Sequence, residues 1–329
     1  MTAGIYGAAG YTGRELLALL HRHPDFSVAF ATSDSSSGEV VQGVRLIPAE
    51  QADPSQAEVI FLCTPHGASA KLAAGALAEG ARVVDLSADL RLKTPEAYAE
   101  WYGHPHPHPE LLPTPYGLPE FNRATIEGQR RVANPGCYPT CTLLALRPLA
   151  QAGAMRADGP LVVDAKSGVS GAGRKASLDT HFVEVFGDLK PYNIGRVHRH
   201  VGEIEQELGA VAPDLLGKLV FSPHLLPVDR GLLATCYVPL AEGWTPEQAR
   251  HLMTETYCHE PLVNLLPPGE TVRLRDAART NGALISLHPV SESMLIVVAA
   301  IDNLLKGASG QAVENMNLAL GLEQRAGLS

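Results

Sequence analysis

The chain has 329 residues, enough for two hydrophobic cores, and its formal net charge of -9 with a pI near 5.8 supplies no electrostatic footprint for nucleic acid. It contains no uninterrupted apolar run of the roughly eighteen residues a membrane span needs and no basic-then-apolar leader, so a cytoplasmic chain without membrane contact is expected. Its five cysteines, Cys63, Cys137, Cys141, Cys236 and Cys258, show no paired spacing, which fits reduced thiols, so any special cysteine should be special for its reactivity.

The opening "TAGIYGAAGYTGRELLALLHRHP" reads as a short apolar strand, a glycine turn, and a helix with Leu16, Leu17, Leu19 and Leu20 that stops before Pro24. "FSVAFATS" follows as a strand, then "AEVIFLCTP", "SAKLAAGALAEG" and "ARVVDLSADL" as strand, helix and strand. Their continuous apolar runs are those of a parallel sheet buried on both faces, and the pattern predicts a doubly wound, Rossmann-type α/β domain. The stretch from Lys93 to Leu118, dense in Pro and His, is expected to be a long surface excursion without regular helix, its His104, His106 and His108 solvated or, less simply, metal-binding. "CTLLALRPLA" reads as a helix from Cys137 as far as Pro148. Beyond it "PLVVDAKSG", "KLVFSPHLLPV", "GLLATCYVPLA", "GALISLHPV" and "MLIVVAAI" are strands and "TPEQARHLMTETYC" a helix, which predicts a second α+β domain with a mixed, largely antiparallel sheet. The tail "GASGQAVENMNLALGL" has helical spacing and is expected to return to the first domain. The expected boundaries are 1–137 plus 306–329 for the first domain and 138–305 for the second.

Gly7, Gly10, Tyr11, Thr12 and Gly13 lie in a strand-to-helix turn, where backbone N–H groups and the helix dipole can receive a pyrophosphate. Ala9 stands where the G-x-G-x-x-G pattern has its middle glycine, and a plain tight connection is the alternative. After the second strand Asp34 would bond an adenosine ribose, while Ser33, Ser35, Ser36 and Ser37 would suit a 2'-phosphate, so the loop leaves NAD and NADP both open.

In "ANPGCYPTCT" a Pro-Gly turn delivers Cys137 to the start of a helix. There the dipole favours a thiolate, and free N–H groups can stabilise an oxyanion on a carbonyl attacked by that sulfur. A buried structural cysteine is the alternative for Cys137 and the natural reading of Cys141 one turn on; a Cys-x3-Cys metal pair lacks further ligands, and no metal is expected. A reactive thiol needs a proton-transfer partner, and "YNIGRVHRHVGEIEQEL" presents Tyr192, His198 and His200 before a helix. The glycines of "SGVSGAG", Ser167 to Gly173, can bring backbone N–H groups close to a ligand or simply make a flexible loop.

"GAAGYTG", "DLSADLRL", "NPGCYPT", "KSGVSGAGRK", "HRHVGEIEQEL" and "IDNLLKGASGQA", in this order over nearly the whole chain, resemble the N-acetyl-gamma-glutamyl-phosphate reductases, relatives of the aspartate-semialdehyde dehydrogenases. The resemblance implies NADP(H) and reversible reduction of an acyl phosphate to a semialdehyde with release of inorganic phosphate. It implies Cys137 as nucleophile and His198 as acid/base, with Tyr192 and His200 beside them. Arg91 and Arg230 are the expected cationic contacts of the substrate, with Arg174, Lys175 and Arg199 also in or near the motifs. The cofactor contacts implied are Gly7, Gly10, Tyr11, Thr12, Gly13, Ser33, Ser167, Gly168, Asn303 and Lys306, and the assembly a homodimer or homotetramer. Asp34 stands where relatives often carry Arg, which weakens the expected NADP preference. An N-acetyl-aminoadipyl-phosphate reductase of lysine synthesis is the nearest alternative, disfavoured by the Asn134-Pro135 and Tyr138-Pro139 flanks. A non-catalytic cofactor sensor is the other, and it would not need both Cys137 and His198.

Overall fold

Short strands alternating with helices build the first of two units in this computed structural model, which describes residues 1–328. That unit spans Met1–Gly136 and takes up the chain again from Ala308. It contains β1 (Thr2–Tyr6), α1 (Tyr11–Arg22), β2 (Ser27–Ala31), a small hairpin of β3 (Val40–Val41) and β4 (Val44–Arg45), β5 (Val59–Leu62), α2 (Ser69–Ala78), β6 (Arg82–Asp85), α3 (Pro95–Tyr102), α4 (Pro119–Ile126) and β7 (Arg131–Ala133). Its five-stranded sheet has the order β2-β1-β5-β6-β7 and every pair is parallel. The strand order reverses at β1, so the glycine turn after β1 opens at the carboxyl edge where doubly wound sheets bind ligands. Ala70, Ala73 and Ala76 are the buried residues α2 turns to the sheet, small enough to let the helix lie close.

The Pro- and His-rich stretch departs from expectation. Pro95–Tyr102 is helical: Thr94 Oγ1 accepts the Ala97 N–H at 3.2 Å, Pro95 occupies the first turn where its missing N–H costs nothing, and Gly103 closes the helix at φ 77°. His106 is buried, because Asp89 lies beneath it; its Nε2 pairs with the Asp89 carbonyl at 2.7 Å and its Nδ1 accepts the His108 N–H at 3.0 Å. The run is a packed strap over the "DLSADL" turn; of the three histidines expected at the surface His104 is exposed and His108 half-buried.

The second unit, Cys137–Gly307, carries α5 (Cys137–Gln151), β8 (Leu161–Gly168), α6 (Phe182–Val185), β9 (Lys190–Pro191), α7 (His200–Gly209), β10 (Leu219–Leu226), β11 (Leu232–Pro239), α8 (Pro246–Tyr257), β12 (Val263–Leu265), α9 (Leu274–Ala277), β13 (Ala283–Ser291) and β14 (Met294–Ile301). Its seven-stranded sheet has the order β12-β13-β14-β11-β8-β10-β9, antiparallel except for β12/β13 and β8/β10. Alternation of buried and half-buried residues along β11, and along β8 as far as Ser167, gives one face to the core, where α5 packs on β11 and β14. Helix α5 runs through Pro148 rather than ending there. Proline removes the N–H that would return to the Leu144 carbonyl, and the Tyr257 hydroxyl donates to that carbonyl at 2.5 Å in its place.

The last helix, α10 (Gly310–Leu320), belongs to the first unit and is buried along almost its whole length despite Gln311, Asn315 and Asn317. Those amides are spent on backbone and neighbours: Gln311 Nε2 and Asn315 Nδ2 donate to the Gly117 carbonyl at 3.2 and 2.8 Å, and Asn317 Oδ1 pairs with His23 Nε2 at 3.0 Å. Gly117 is required there, since a Cβ would fall 2.3 Å from Asn315 Nδ2.

Candidate active site

In the first unit the glycine turn is shaped by contacts that exclude side chains. Gly7 has φ +84° and a Cβ on it would lie 2.5 Å from the Cys63 carbonyl oxygen; a Cβ on Gly13 would lie 2.6 Å from Gly7 O and from Ala8 Cα. Gly10 is the N-cap of α1 and contributes no side-chain acceptor, and no acidic residue occupies the first turn. The positive end of α1 is therefore left to an external anion, and Ala9, in place of a glycine, is buried rather than turned outward. These residues fit a dinucleotide pyrophosphate. Ser33 is buried, its Oγ accepting the Ser36 N–H at 3.2 Å, and Asp34 braces the loop by accepting the Ala49 N–H at 2.9 Å.

"DLSADLRL" folds as a buried polar turn after β6. Asp85 accepts the Ser87 N–H and hydroxyl, both at 2.9 Å, and burial raises its pKa. Asp89 accepts from Gly67 N, Ala70 N and Tyr98 Oη at 2.7, 3.0 and 3.0 Å. Arg91 is buried, with Nε on the Asn134 carbonyl and NH2 on the Leu86 carbonyl, each at 2.8 Å. It therefore orders the backbone three residues before Cys137, a task the sequence did not disclose.

In the second unit Cys137 is the first residue of α5 and is half-buried, while Cys141 is buried with Sγ 3.4 Å from the Ala299 carbonyl. Gly307 backs the thiol: a Cβ there would fall 2.8 Å from Cys137 Cβ, so only glycine allows this approach. Tyr192 Oη donates to Tyr138 Oη at 3.0 Å. Burial raises both phenols, Tyr192 to about 12, and the neighbouring Cys137 charge adds to each shift. Both tyrosines are thus neutral near the sulfur. His198 sits among Tyr138, Tyr192 and Phe221, with ring centroids 5.5, 5.6 and 5.4 Å away, and His200 at 4.8 Å. Burial, then the Arg199 charge, lower its pKa to about 4. His198 Nδ1 accepts the His200 N–H at 3.2 Å, which puts the proton of the neutral ring on Nε2. Arg196 holds this loop through a two-pronged pair with Glu205 at 2.5 and 2.8 Å.

The remaining residues of the second unit are engaged in its framework. Arg230 is buried with Nε 3.6 Å from Asp302 Oδ2, and Asn303 accepts the Gly231 N–H at 2.8 Å and donates to Ser170 Oγ at 2.9 Å. Ser167 Oγ donates to the Gly168 carbonyl at 3.1 Å. Gly168 lies against the backbone of Val228 to Arg230, with a Cβ 2.8 Å from Arg230 N, and Lys306 is fully buried. Sequence reasoning gave Tyr138, Gly307 and Arg196 no part in the site around Cys137 and His198. All three stood inside quoted stretches, but only folding shows what they touch.

Two family models divide the chain: "Semialdehyde dehydrogenase, NAD binding domain" matches residues 2–129 and "Semialdehyde dehydrogenase, dimerisation domain" residues 137–303. Among solved structures, aspartate semialdehyde dehydrogenase II from Vibrio cholerae, complexed with ASA, superposes with a TM-score of 0.74 at 21% identity over 96% of this chain and 97% of that one. The aspartate semialdehyde dehydrogenase with NADP from Candida albicans gives 0.67 at 16% identity, covering 96% and 97%. Fold and matched domains define a two-domain enzyme of the semialdehyde dehydrogenase class with a nicotinamide cofactor. Among curated relatives, the N-acetyl-gamma-glutamyl-phosphate reductase of Ectopseudomonas mendocina is 45% identical over 99% of this chain and 97% of its own length, and that of Desulforudis audaxviator 44% over 99% and 97%. The chain belongs to the N-acetyl-gamma-glutamyl-phosphate reductase family. Among the described residues no helix is long and apolar enough to cross a membrane.

Proposed function

We propose that the chain reduces N-acetyl-gamma-glutamyl phosphate to N-acetyl-glutamate semialdehyde with release of inorganic phosphate, using NADPH, by way of a thioester on Cys137, as a cytoplasmic homodimer or homotetramer. The observation that carries the reading is Cys137 as the first residue of α5, with Tyr138 and Tyr192 near enough to feel its charge and His198 packed against both rings, in a chain of this family. The Cys137 thiolate attacks the acyl carbon, and the bond to the phosphate oxygen breaks with its electron pair leaving on phosphate. A nicotinamide held by the first unit would supply the hydride that reduces the resulting thioester carbonyl. The adduct collapses as the carbonyl reforms, the C–S bond breaks and the thiolate is regenerated. With a pKa near 4, His198 is neutral at physiological pH. In its resting tautomer it offers Nε2–H to the oxygen that gathers charge in each adduct, and the one proton consumed per turnover is taken from solvent and ends on the released phosphate.

Gly7, Gly10, Tyr11, Thr12 and Gly13 cradle the pyrophosphate. The Ser33, Ser35, Ser36 and Ser37 hydroxyls favour NADP, and the Asp34 carboxylate, one oxygen of which accepts the Ala49 N–H, keeps that preference modest. Ser167, Gly168, Asn303 and Lys306 support the nicotinamide side chiefly by setting the framework. Arg91 and Arg230 are both candidates for a substrate anion, Arg91 oriented by the Leu86 and Asn134 carbonyls with Asp85 near enough to feel its charge, and Arg230 set against Asp302. His200 and Tyr192 stand beside His198 in the second unit.

The test runs the reaction backwards with N-acetyl-glutamate semialdehyde, phosphate and NADP+. Cofactor reduction that requires phosphate and disappears in Cys137→Ser is expected. Reduction without phosphate, or activity retained in the serine variant, refutes the mechanism. Preference for the aminoadipate homologue moves the substrate, and preference for NAD+ moves the cofactor.

A further inference from the structure

Three hydroxyls in the second unit form a chain that leads from the surroundings of His198 into the framework, and its direction is set by its far end. Ser167 Oγ lies 3.1 Å from the Gly168 carbonyl oxygen, which can only accept, so the single Ser167 hydroxyl proton is spent there. Ser167 also hydrogen-bonds Tyr138, and with its own proton committed it must accept from the Tyr138 hydroxyl. Tyr138 then has only lone pairs for Tyr192, whose hydroxyl donates to it at 3.0 Å. Each proton in the order Tyr192, Tyr138, Ser167, Gly168 carbonyl is used once. Ser167 and Tyr138 are 2% and 3% exposed, which keeps water from breaking the inner links.

Tyr192 is held at both ends, since its N–H donates to the Pro223 carbonyl of β10 at 3.0 Å while its hydroxyl ends on Tyr138. Ile194 and Val197, between Tyr192 and His198, are exposed, so apolar packing does little to hold this loop and the hydroxyl link carries more of the task. The Tyr138 ring stands edge-on to His198, His200 and Phe221, with centroids 5.5, 5.9 and 5.2 Å away, and Tyr192 closes on His198 at 5.6 Å. We infer that Tyr138 is a positioning residue for the reaction proposed above, on which the inference rests: its hydroxyl fixes Tyr192, and through Tyr192 the His198 ring, relative to the Cys137 beside it in the chain. The direction of the chain has a second consequence. The Tyr192 proton is committed to Tyr138, so Tyr192 presents only lone pairs outward, and the N–H offered to the reacting oxygen is left to His198 Nε2.

Tyr138→Phe deletes one link and leaves the ring against His198, and Tyr192→Phe deletes the same link from its half-buried end. In the phosphate-dependent reaction run backwards, Tyr138→Phe, folded by circular dichroism, should lose about tenfold or more in kcat while KM for the semialdehyde changes less than about twofold. Because both substitutions remove one bond, adding Tyr138→Phe to Tyr192→Phe should slow the enzyme by less than about twofold more. NMR of histidine-labelled protein without substrate gives a readout apart from activity. Burial holds the His198 pKa near 4, so its ring shows no titration down to about pH 5 in wild type; in Tyr138→Phe the released Tyr192 lets water reach the ring and the midpoint rises toward the ordinary 6.5. If Tyr138→Phe does not fold, Tyr192→Phe breaks the same bond and should give the same rise. An unchanged kcat in folded Tyr138→Phe, a change confined to KM, losses that multiply in the double variant, or a His198 titration that stays put overturns the inference. Failure of the functional reading is separate: it shows as absent phosphate-dependent reduction in wild type, and the titration still tests the positioning.

Discussion

Replacing Tyr257 by Phe removes one hydroxyl and leaves the ring, and the structure predicts a cost out of proportion to that change. Pro148 cannot donate to the Leu144 carbonyl, which is why the Tyr257 hydroxyl, 113 residues distant, does so at 2.5 Å. Tyr257 is 4% exposed and Leu144 fully buried, so water does not readily replace the lost donor. A buried carbonyl stripped of its partner costs about 1–3 kcal/mol, while the phenyl ring still fills its space and adds no cavity term. We predict destabilisation of the second unit by about 2 kcal/mol, a fall in melting temperature of roughly 4–8 °C for a unit of this size. The discriminating variant is Pro148→Ala, which restores an N–H to the Leu144 carbonyl. In that background Tyr257→Phe should cost less than about 0.5 kcal/mol, so the two substitutions are strongly non-additive. Differential scanning calorimetry of the four proteins reads this directly. Equal costs in the two backgrounds, or no shift in the single variant, would refute the account of how α5 passes through its proline.

Gly13→Ala places a Cβ 2.6 Å from the Gly7 carbonyl; we predict a KM for cofactor raised at least tenfold with kcat changed less, and equal cofactor binding by calorimetry would count against the cradle. Because burial lowers the His198 pKa to about 4 from an ordinary 6.5, the unfolded chain binds the proton first, so His198 contributes stability fully present above pH 6.5 and lost as pH falls through 4. The contribution is about 3 kcal/mol at most, and it predicts that wild type loses stability between pH 6.5 and 4 more steeply than His198→Asn; parallel curves would contradict it. Arg196→Gln frees the loop that carries His198, so kcat should fall severalfold with little change in KM and Arg196→Lys should recover part of it, whereas an unaltered kcat would show that the Glu205 pair does not position His198.

Several features were legible from the residues alone because their causes are local. The turn after β1, the start of α5 at Cys137 and the two sheet types follow from glycine freedom, the Pro-Gly turn and the period of apolar residues, each decided within a few positions of the chain. Tertiary structure decided what depends on groups far apart in sequence. Local proline rules end α5 at Pro148 until Tyr257 supplies a donor, and local composition makes His106 a surface residue until Asp89 accepts it. Arg91, Arg230 and Asn303 look equally ready for a ligand in the sequence, and only folding shows them on the Leu86 and Asn134 carbonyls, on Asp302, and between Gly231 and Ser170. The physical reason is that periodicity and capping are properties of one segment. A buried polar group must instead find its partner wherever the packed chain brings one, and that pairing leaves no local trace in the order of the residues.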